Sequence, residues 1–174
     1  MAQTRLIELY LSRMQSADRK LEYLNRIVEA ESVANAIRAS GAGKVAQLRA
    51  ERMQDQAARD MITQALSLNP LNLEAMQTQP RTEPPATAPE QVALYLQMLR
   101  SNPAQPPIAI ALAREIAAAG LAQRSIEWFN NALNFEQRMG IAPTADVVLD
   151  YAAEFFLNND AKGAGTIVDR ILES

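Results

Sequence analysis

Apolar residues recur at spacings of three and four along most of the chain, the period of amphipathic helices, and nowhere is strand-like alternation sustained. The pattern predicts a helix from about Thr4 to Met14, with Leu6, Ile7, Tyr10, Leu11 and Met14 sharing a face. Asp18 is placed to cap a following run that carries Leu21, Leu24, Ile27 and Val28, then Val33, Ala34 and Ile37. Residues 4–39 read as one helix or as two. Ser40-Gly41-Ala42-Gly43 reads as a helix end, because two glycines tolerate the left-handed conformation found there. A helix from about Lys44 to Arg52 is then expected, with a turn at Met53-Gln54. Asp55 would cap a helix to about Leu68, which Asn69-Pro70 ends.

The pattern breaks at residues 77–89, where four of the nine prolines fall and almost nothing is available to bury. Proline lacks the helical donor and restricts its preceding neighbour, so this stretch is expected to be an extended, stiff linker. Beyond it, Pro89 suits a first helical turn, and Glu90 to Arg100 forms a helix with Val92, Tyr95, Leu96 and Leu99 inward. Pro107 opens another helix, to about Ala119. Gly120 breaks it before a longer one, Ala122 to Met139, which buries Ile126, Phe129 and Leu133. Thr144 caps a helix to about Leu157, and Ala161 to Leu172 is the last. Gly163 and Gly165 lie inside that helix at a cost of roughly 1 kcal/mol each against alanine, so close packing of the final two helices is expected. The domain organisation that follows is residues 1–75, a linker at 76–89, and a helical module at 90–174.

Composition narrows the chemistry. The 174 residues contain no Cys and no His, which excludes zinc fingers, iron–sulfur clusters, disulfide scaffolds, cysteine nucleophiles and Ser-His-Asp triads. No cofactor or metal is expected. Lys and Arg number 17 against 20 Asp and Glu, a net charge of −3 that argues against nucleic acid as a partner. No apolar run approaches the roughly 20 residues of a bilayer span, so a soluble chain without membrane insertion is expected, cytoplasmic by default.

One repeat stands out. Small or apolar residues recur at n, n+12 and n+19 in three places: Ala46, Ala58 and Ala65; Ala113, Ser125 and Ala132; Ala152, Ala164 and Ile171. In a helical hairpin the first residue lies where the two helices must approach closely, the second answers it across the turn, and the third lies two turns further along the same face. This spacing, with Gln64-Ala65-Leu66-Ser67-Leu68-Asn69-Pro70 closing the best stretch, resembles the tetratricopeptide repeat family. The resemblance implies an all-α fold of antiparallel helix-turn-helix pairs stacked as an α-solenoid. Ala46 to Ala113 is 67 residues, about two repeats of 34, which leaves a degenerate unit between them whose first helix the proline-rich linker replaces. The pattern departs from the family at Arg49, where an aromatic is usual, and at Gln137, where the terminal proline is missing.

Other motifs weigh little. Ser40 to Lys44 lacks the first glycine of a phosphate loop, where Arg38 stands, and Val45 replaces the magnesium-binding Ser or Thr. Asp146, Asp150 and Glu154 form a carboxylate row at i, i+4 and i+8, expected to be a solvated face; a straight helical row suits a hard cation poorly. As an acid and base pair, Asp150 and Glu154 on an exposed helix would lack the walled pocket that drives two carboxyls apart. Trp128, Phe129, Phe135, Phe155 and Phe156 are expected in the core.

The resemblance implies a peptide-holding groove lined by the first helix of each unit, here Ile110, Ala111 and Arg114, then Asp146, Leu149, Asp150 and Ala153. Asp146 and Asp150 stand where a carboxylate clamp would need cations, so no such clamp is expected, and a basic or neutral segment is the better ligand. The residues therefore read as a non-catalytic scaffold that binds a partner protein or extended peptide, within a larger repeat protein. The alternative is assembly between copies, a homodimer for example, through Leu6, Tyr10, Leu11, Leu21, Leu24 and Ile27 of the N-terminal helices.

Overall fold

A computed structural model describes the backbone of residues 2–172 and the side chains of residues 5–169. Among the described residues the chain forms α-helices and connecting turns with no strand. In order these are α1 (Ala2–Arg13), α2 (Ala17–Glu29), α3 (Asn35–Glu51), α4 (Asp55–Leu68), α5 (Leu73–Thr82), α6 (Ala88–Ser101), α7 (Pro106–Ala118), α8 (Ala122–Arg138), α9 (Ala145–Leu157) and α10 (Ala161–Leu172). They fall into two compact units, residues 1–85 and 86–174.

The ends of the helices are set by local chemistry. Ser16, not Asp18, caps α2, its hydroxyl accepting from the Arg19 N–H, while Asp18 lies in the first turn and pairs with Arg52 at 2.7 Å. Asp55 likewise is the first helical residue of α4, with Gln54 at the cap. Asn72 caps α5 through the Ala75 N–H, and Thr87 with Glu90 forms a reciprocal capping box on α6. Left-handed residues stop the helices: Met53 and Gly120 after α3 and α7, Gly140 and Asn159 after α8 and α9.

In the first unit, residues 4–39 are neither one helix nor two, since they span α1, α2 and the start of a third. The expected helix end at Gly41 and Gly43 lies instead in the middle of α3, and both glycines are buried. A Cβ on Gly41 would lie 3.2 Å from Val28 Cγ2 of α2; on Gly43 it would lie 2.6 Å from Asn72 Oδ1 and 3.3 Å from the Ala75 nitrogen of α5. These glycines therefore allow α3 to approach two helices at once, and their signal of flexibility is a signal of closeness. Lys44 reaches Glu74 at 3.6 Å and Glu8 at 3.9 Å, so the stretch that partly matched a phosphate loop is a straight, paired helix segment.

The segment expected to be an extended linker is helical as far as Thr82, with Pro80 inside the last turn of α5. Side chains tie the helix around the proline: the Thr78 hydroxyl donates to the Glu74 carbonyl, the Thr82 hydroxyl to the Gln79 carbonyl, and Arg59 Nη1 to the Thr82 carbonyl at 3.3 Å. Met76 and Ala75 are fully buried against α3 and α4, which places α5 in the core. The first helix attributed to the linker is thus present. Two apolar clusters fill the unit, one around Val28, Ala46, Ile62 and Ala65, the other around Ile7, Leu24 and Val45.

In the second unit α7 pairs with α8 and α9 with α10, while α6 packs on α7, α8 on α9, and α7 touches α9. Its core gathers Leu99, Leu112, Ala113, Phe129, Ala132 and Tyr151. A fully buried leucine, methionine or phenylalanine contributes roughly 1.5–3 kcal/mol. The repeated small residues sit at the hairpin crossings. Ala46, Ala58 and Ala65 are fully buried, as are Ala113 and Ser125, whose hydroxyl donates to the Ala113 carbonyl at 3.0 Å across the turn. Ala152 is buried and Ala164 half-buried; Ile171 lies outside the described side chains. Gly163 meets Phe155, where a Cβ would lie 2.6 Å from its ring, but a Cβ on Gly165 would touch nothing within 4 Å, so only the first glycine serves close packing.

Candidate functional site

The predicted groove residues come from α7 and α9, which touch side by side. On α9 the helical period separates two faces. Val147, Val148, Tyr151 and Ala152 turn into the core, whereas Leu149, Ala153, Phe156 and Leu157 are exposed, as is Asp146, with Asp150 half-buried beside them. Arg114 on α7 bridges the aspartates: its Nε donates to Asp150 Oδ2 at 2.7 Å and its Nη2 to Asp146 Oδ2 at 3.0 Å. Hydrogen bonding to Asp150, and then to Asp146, raises the Arg114 pKa above its ordinary value. Bonding from Thr144, and then from Arg114, holds the Asp146 carboxyl below its ordinary value. The triad carries one net negative charge.

The other predicted residues divide. Ala111 is half-buried, Leu149 and Ala153 are exposed, and Ile110 is 6% exposed within the core, beneath this face. The carboxylate row also divides, because Glu154 is 6% exposed and lies against Ser125, not in solvent. Burial pushes its pKa up, opposed in part by the Ser125 hydrogen bond, and its Oε2 has no partner. The expectation of a solvated row of three is corrected: Asp146 and Asp150 lie on the outer side of α9, and Glu154, a net turn of about 40° further round from Asp150, lies on the core side.

Phe156 is the residue the sequence pattern misplaced. Grouped with the core aromatics, it is 66% exposed, at i+7 from Leu149 and on the same stripe. The helical period contained that signal. Phe129, by contrast, is fully buried, Tyr151 lies edge-on to Phe155 at 5.0 Å between centroids, and Trp128 and Phe135 line a shallow cavity of about 380 Å³ with Leu96 and Leu99. Among the described residues no three His, Cys, Asp or Glu side chains are grouped to hold a metal, and no helix is long and apolar enough to cross a membrane.

Models of known protein families give no match to the sequence, and neither do curated proteins. Solved structures do match. The MamA RS-1 ArsTM double mutant aligns over 97% of this chain and 92% of its own, with a TM-score of 0.64 at 14% identity. MamA 41-end from Desulfovibrio magneticus RS-1 aligns over 97% and 93%, with a TM-score of 0.62 at 14% identity. A Podosopora anserina putative kinesin light chain of nearly identical TPR-like repeats aligns over 99% and 92%, with 0.56 at 16%. This chain has a TPR-like repeat fold. The likeness at these identities is one of fold, and it bears out the all-α helical-repeat architecture implied by the small-residue spacing. TPR-like helix pairs account for the geometry above: α7 and α9 are the first helices of successive pairs, and their contact is what brings Arg114 to the two aspartates.

Proposed function

We propose that this TPR-like chain is a non-catalytic interaction scaffold whose α7 and α9 face receives an extended peptide or partner segment that is apolar and basic or neutral. The observation that carries the reading is the Arg114 triad with its neighbours. Two aspartates share one cation and retain outward oxygens, and Leu149, Phe156 and Leu157 leave exposed apolar surface beside them. A side chain with a positive end and an apolar stem fits such a surface, and a terminal carboxylate is repelled by the residual negative charge. Ala111 and Ala153 keep the face low enough for a main chain to approach.

The test is a titration with labelled peptides of matched apolar content carrying lysine, serine or aspartate. Lysine peptides should bind tightest, with an affinity that falls as salt rises. Asp146→Asn with Asp150→Asn should bring lysine peptides to the level of serine peptides, while circular dichroism stays unchanged. Arg114→Met should strengthen the lysine peptides by freeing both carboxylates. Equal binding of all three peptides, or indifference to the double variant, overturns the reading.

A second reading, pairing between copies through α1, is favoured by one observation. Leu6, Leu9 and Tyr10 are each about half exposed there. Leu24 is fully buried, and Leu11, Leu21 and Ile27 pack around it within the unit, so the available surface is narrower than the six residues read from sequence. Sedimentation equilibrium decides it: a monomer at tens of micromolar removes this reading.

A further inference from the structure

A larger cavity of about 700 Å³ opens elsewhere in the second unit, between α8, α9, α10 and the turn that follows α8. Its floor is apolar: Leu133, Val148, Tyr151, Phe155 and Ile167. One edge is a row of amides on α8, Asn130, Asn134 and Gln137, all exposed and on one helical stripe. The far edge is made by Thr166 and by the Ile141–Pro143 turn. That turn is held off the helix by a Schellman ending in which the Ile141 N–H donates to the Glu136 carbonyl at 2.9 Å, the Gly140 N–H to Gln137 at 3.1 Å, and Gly140 takes a φ of +69°. In such endings the apolar residue after the glycine usually packs back on the helix; here Ile141 remains 52% exposed at the rim.

We propose that this cavity is a second binding site, separate from the α7 and α9 face, that takes an extended, uncharged, apolar peptide segment. Three features of the lining select that ligand. Among the described residues no lining side chain carries a charge at neutral pH, so a charged group entering would lose its hydration without gaining a partner among them. The volume lies within the range of formed ligand sites and is walled mainly by apolar side chains. The amides give the orientation. Each presents one acceptor and two donors, a match for the N–H and C=O of a peptide unit. Asn130 and Asn134 stand four residues apart, about 6 Å along the helix. An extended chain repeats every two residues, about 6.6 Å. Asn130 and Asn134 on α8 therefore meet alternate peptide units, whose intervening side chains point to the apolar floor, with Gln137 one short turn beyond them. The bond from Asn134 Nδ2 to Asn130 Oδ1, at 3.4 Å, is long and leaves the pair ready to exchange it for a ligand.

The experiment uses the full chain and short acetylated, amidated peptides built from leucine, valine, serine and threonine, followed by fluorescence anisotropy and by the side-chain NH₂ resonances of Asn130, Asn134 and Gln137. Saturable binding that shifts those resonances is expected. Asn130→Ala, Asn134→Ala and Gln137→Ala together should weaken it by about tenfold or more, with circular dichroism unchanged. A central lysine or aspartate should weaken it similarly, and Asp146→Asn with Asp150→Asn should leave it unaltered, which separates this site from the α7 and α9 face. No saturation, binding indifferent to the amide variant, or a cavity that takes Nile red without any competition from the peptides overturns the proposal. The last of these outcomes assigns the cavity to a small apolar molecule.

Discussion

At the scale of single residues, glycine is where the sequence reading and the structure part most clearly. A close pair of glycines signals a helix end from composition alone, because the neighbour that demands the missing Cβ is remote in the chain. Asn72 and Ala75 are about thirty positions from Gly43, and nothing local announces them. Gly43→Ala should destabilise the first unit by about 1–3 kcal/mol in urea unfolding, the Cβ being driven against a buried cap and a backbone nitrogen. Gly41→Ala should cost less, since its nearest neighbour is a methyl group at 3.2 Å. Gly165→Ala should do the reverse and stabilise by about 0.5–1 kcal/mol, because α10 gains helix propensity and meets no obstruction. A uniform loss at all three positions would show that helix packing does not decide these sites. The alanines were more legible than the glycines, because their 12- and 19-residue spacing is a property of a hairpin rather than of any one contact.

At the scale of elements, the helical period placed α9 correctly but not the roles of its acids. Asp146, Asp150 and Glu154 are four residues apart, 400° of rotation each, so the row drifts around the helix and its last member turns to Ser125. That drift has a pH signature. The Glu154 carboxyl titrates above its ordinary value in the folded chain because it is buried. The folded state thus holds this proton more tightly than the unfolded state, and stability contributed here is full below the unfolded pKa and lost as pH rises through the folded one. Glu154→Gln keeps a hydrogen-bonding partner for Ser125 and removes the charge. It should raise the urea midpoint at pH 7, and the gain should vanish as pH falls below the usual carboxylate range. Asp146, held low by Thr144 and Arg114, has the opposite sign: its contribution is present above the unfolded pKa and disappears on acidification. Variants of Asp146 and Glu154 should therefore show opposed pH trends in the same assay, and parallel trends would refute the assignment of faces. Element α5 was the harder case. Its core-facing positions include Thr78 and Thr82, and Pro80 stands between them, so neither apolar periodicity nor propensity marks a helix. Only the packing of Ala75 and Met76 and the bond from Arg59 explain it.

At the scale of the whole molecule, a repeat of helix pairs implies stability that is a sum of local terms, each pair buried by its neighbours. The division at 85 and 86 falls in the turn between α5 and α6. If the units are energetically as distinct as their cores, residues 86–174 expressed alone should keep their helicity and unfold cooperatively in urea. Phe129, Leu112 and Tyr151 draw their partners from α6 to α10, all within that segment. Removing α6 from the fragment should be far more damaging than removing the first unit, because Val92, Tyr95, Leu96 and Leu99 cover the α7 side of the core. The comparison of residues 86–174 with 106–174 by circular dichroism and urea titration separates the two cases. A cooperative transition in the longer fragment, lost or shifted by several kcal/mol in the shorter, is expected from the burial of Leu99 and the partial burial of Val92, Tyr95 and Leu96, full burial of one such side chain being worth roughly 1.5–3 kcal/mol. A longer fragment with no transition would mean that the second unit depends on the first for its core, and that the repeat, not the compact unit, is the element of stability.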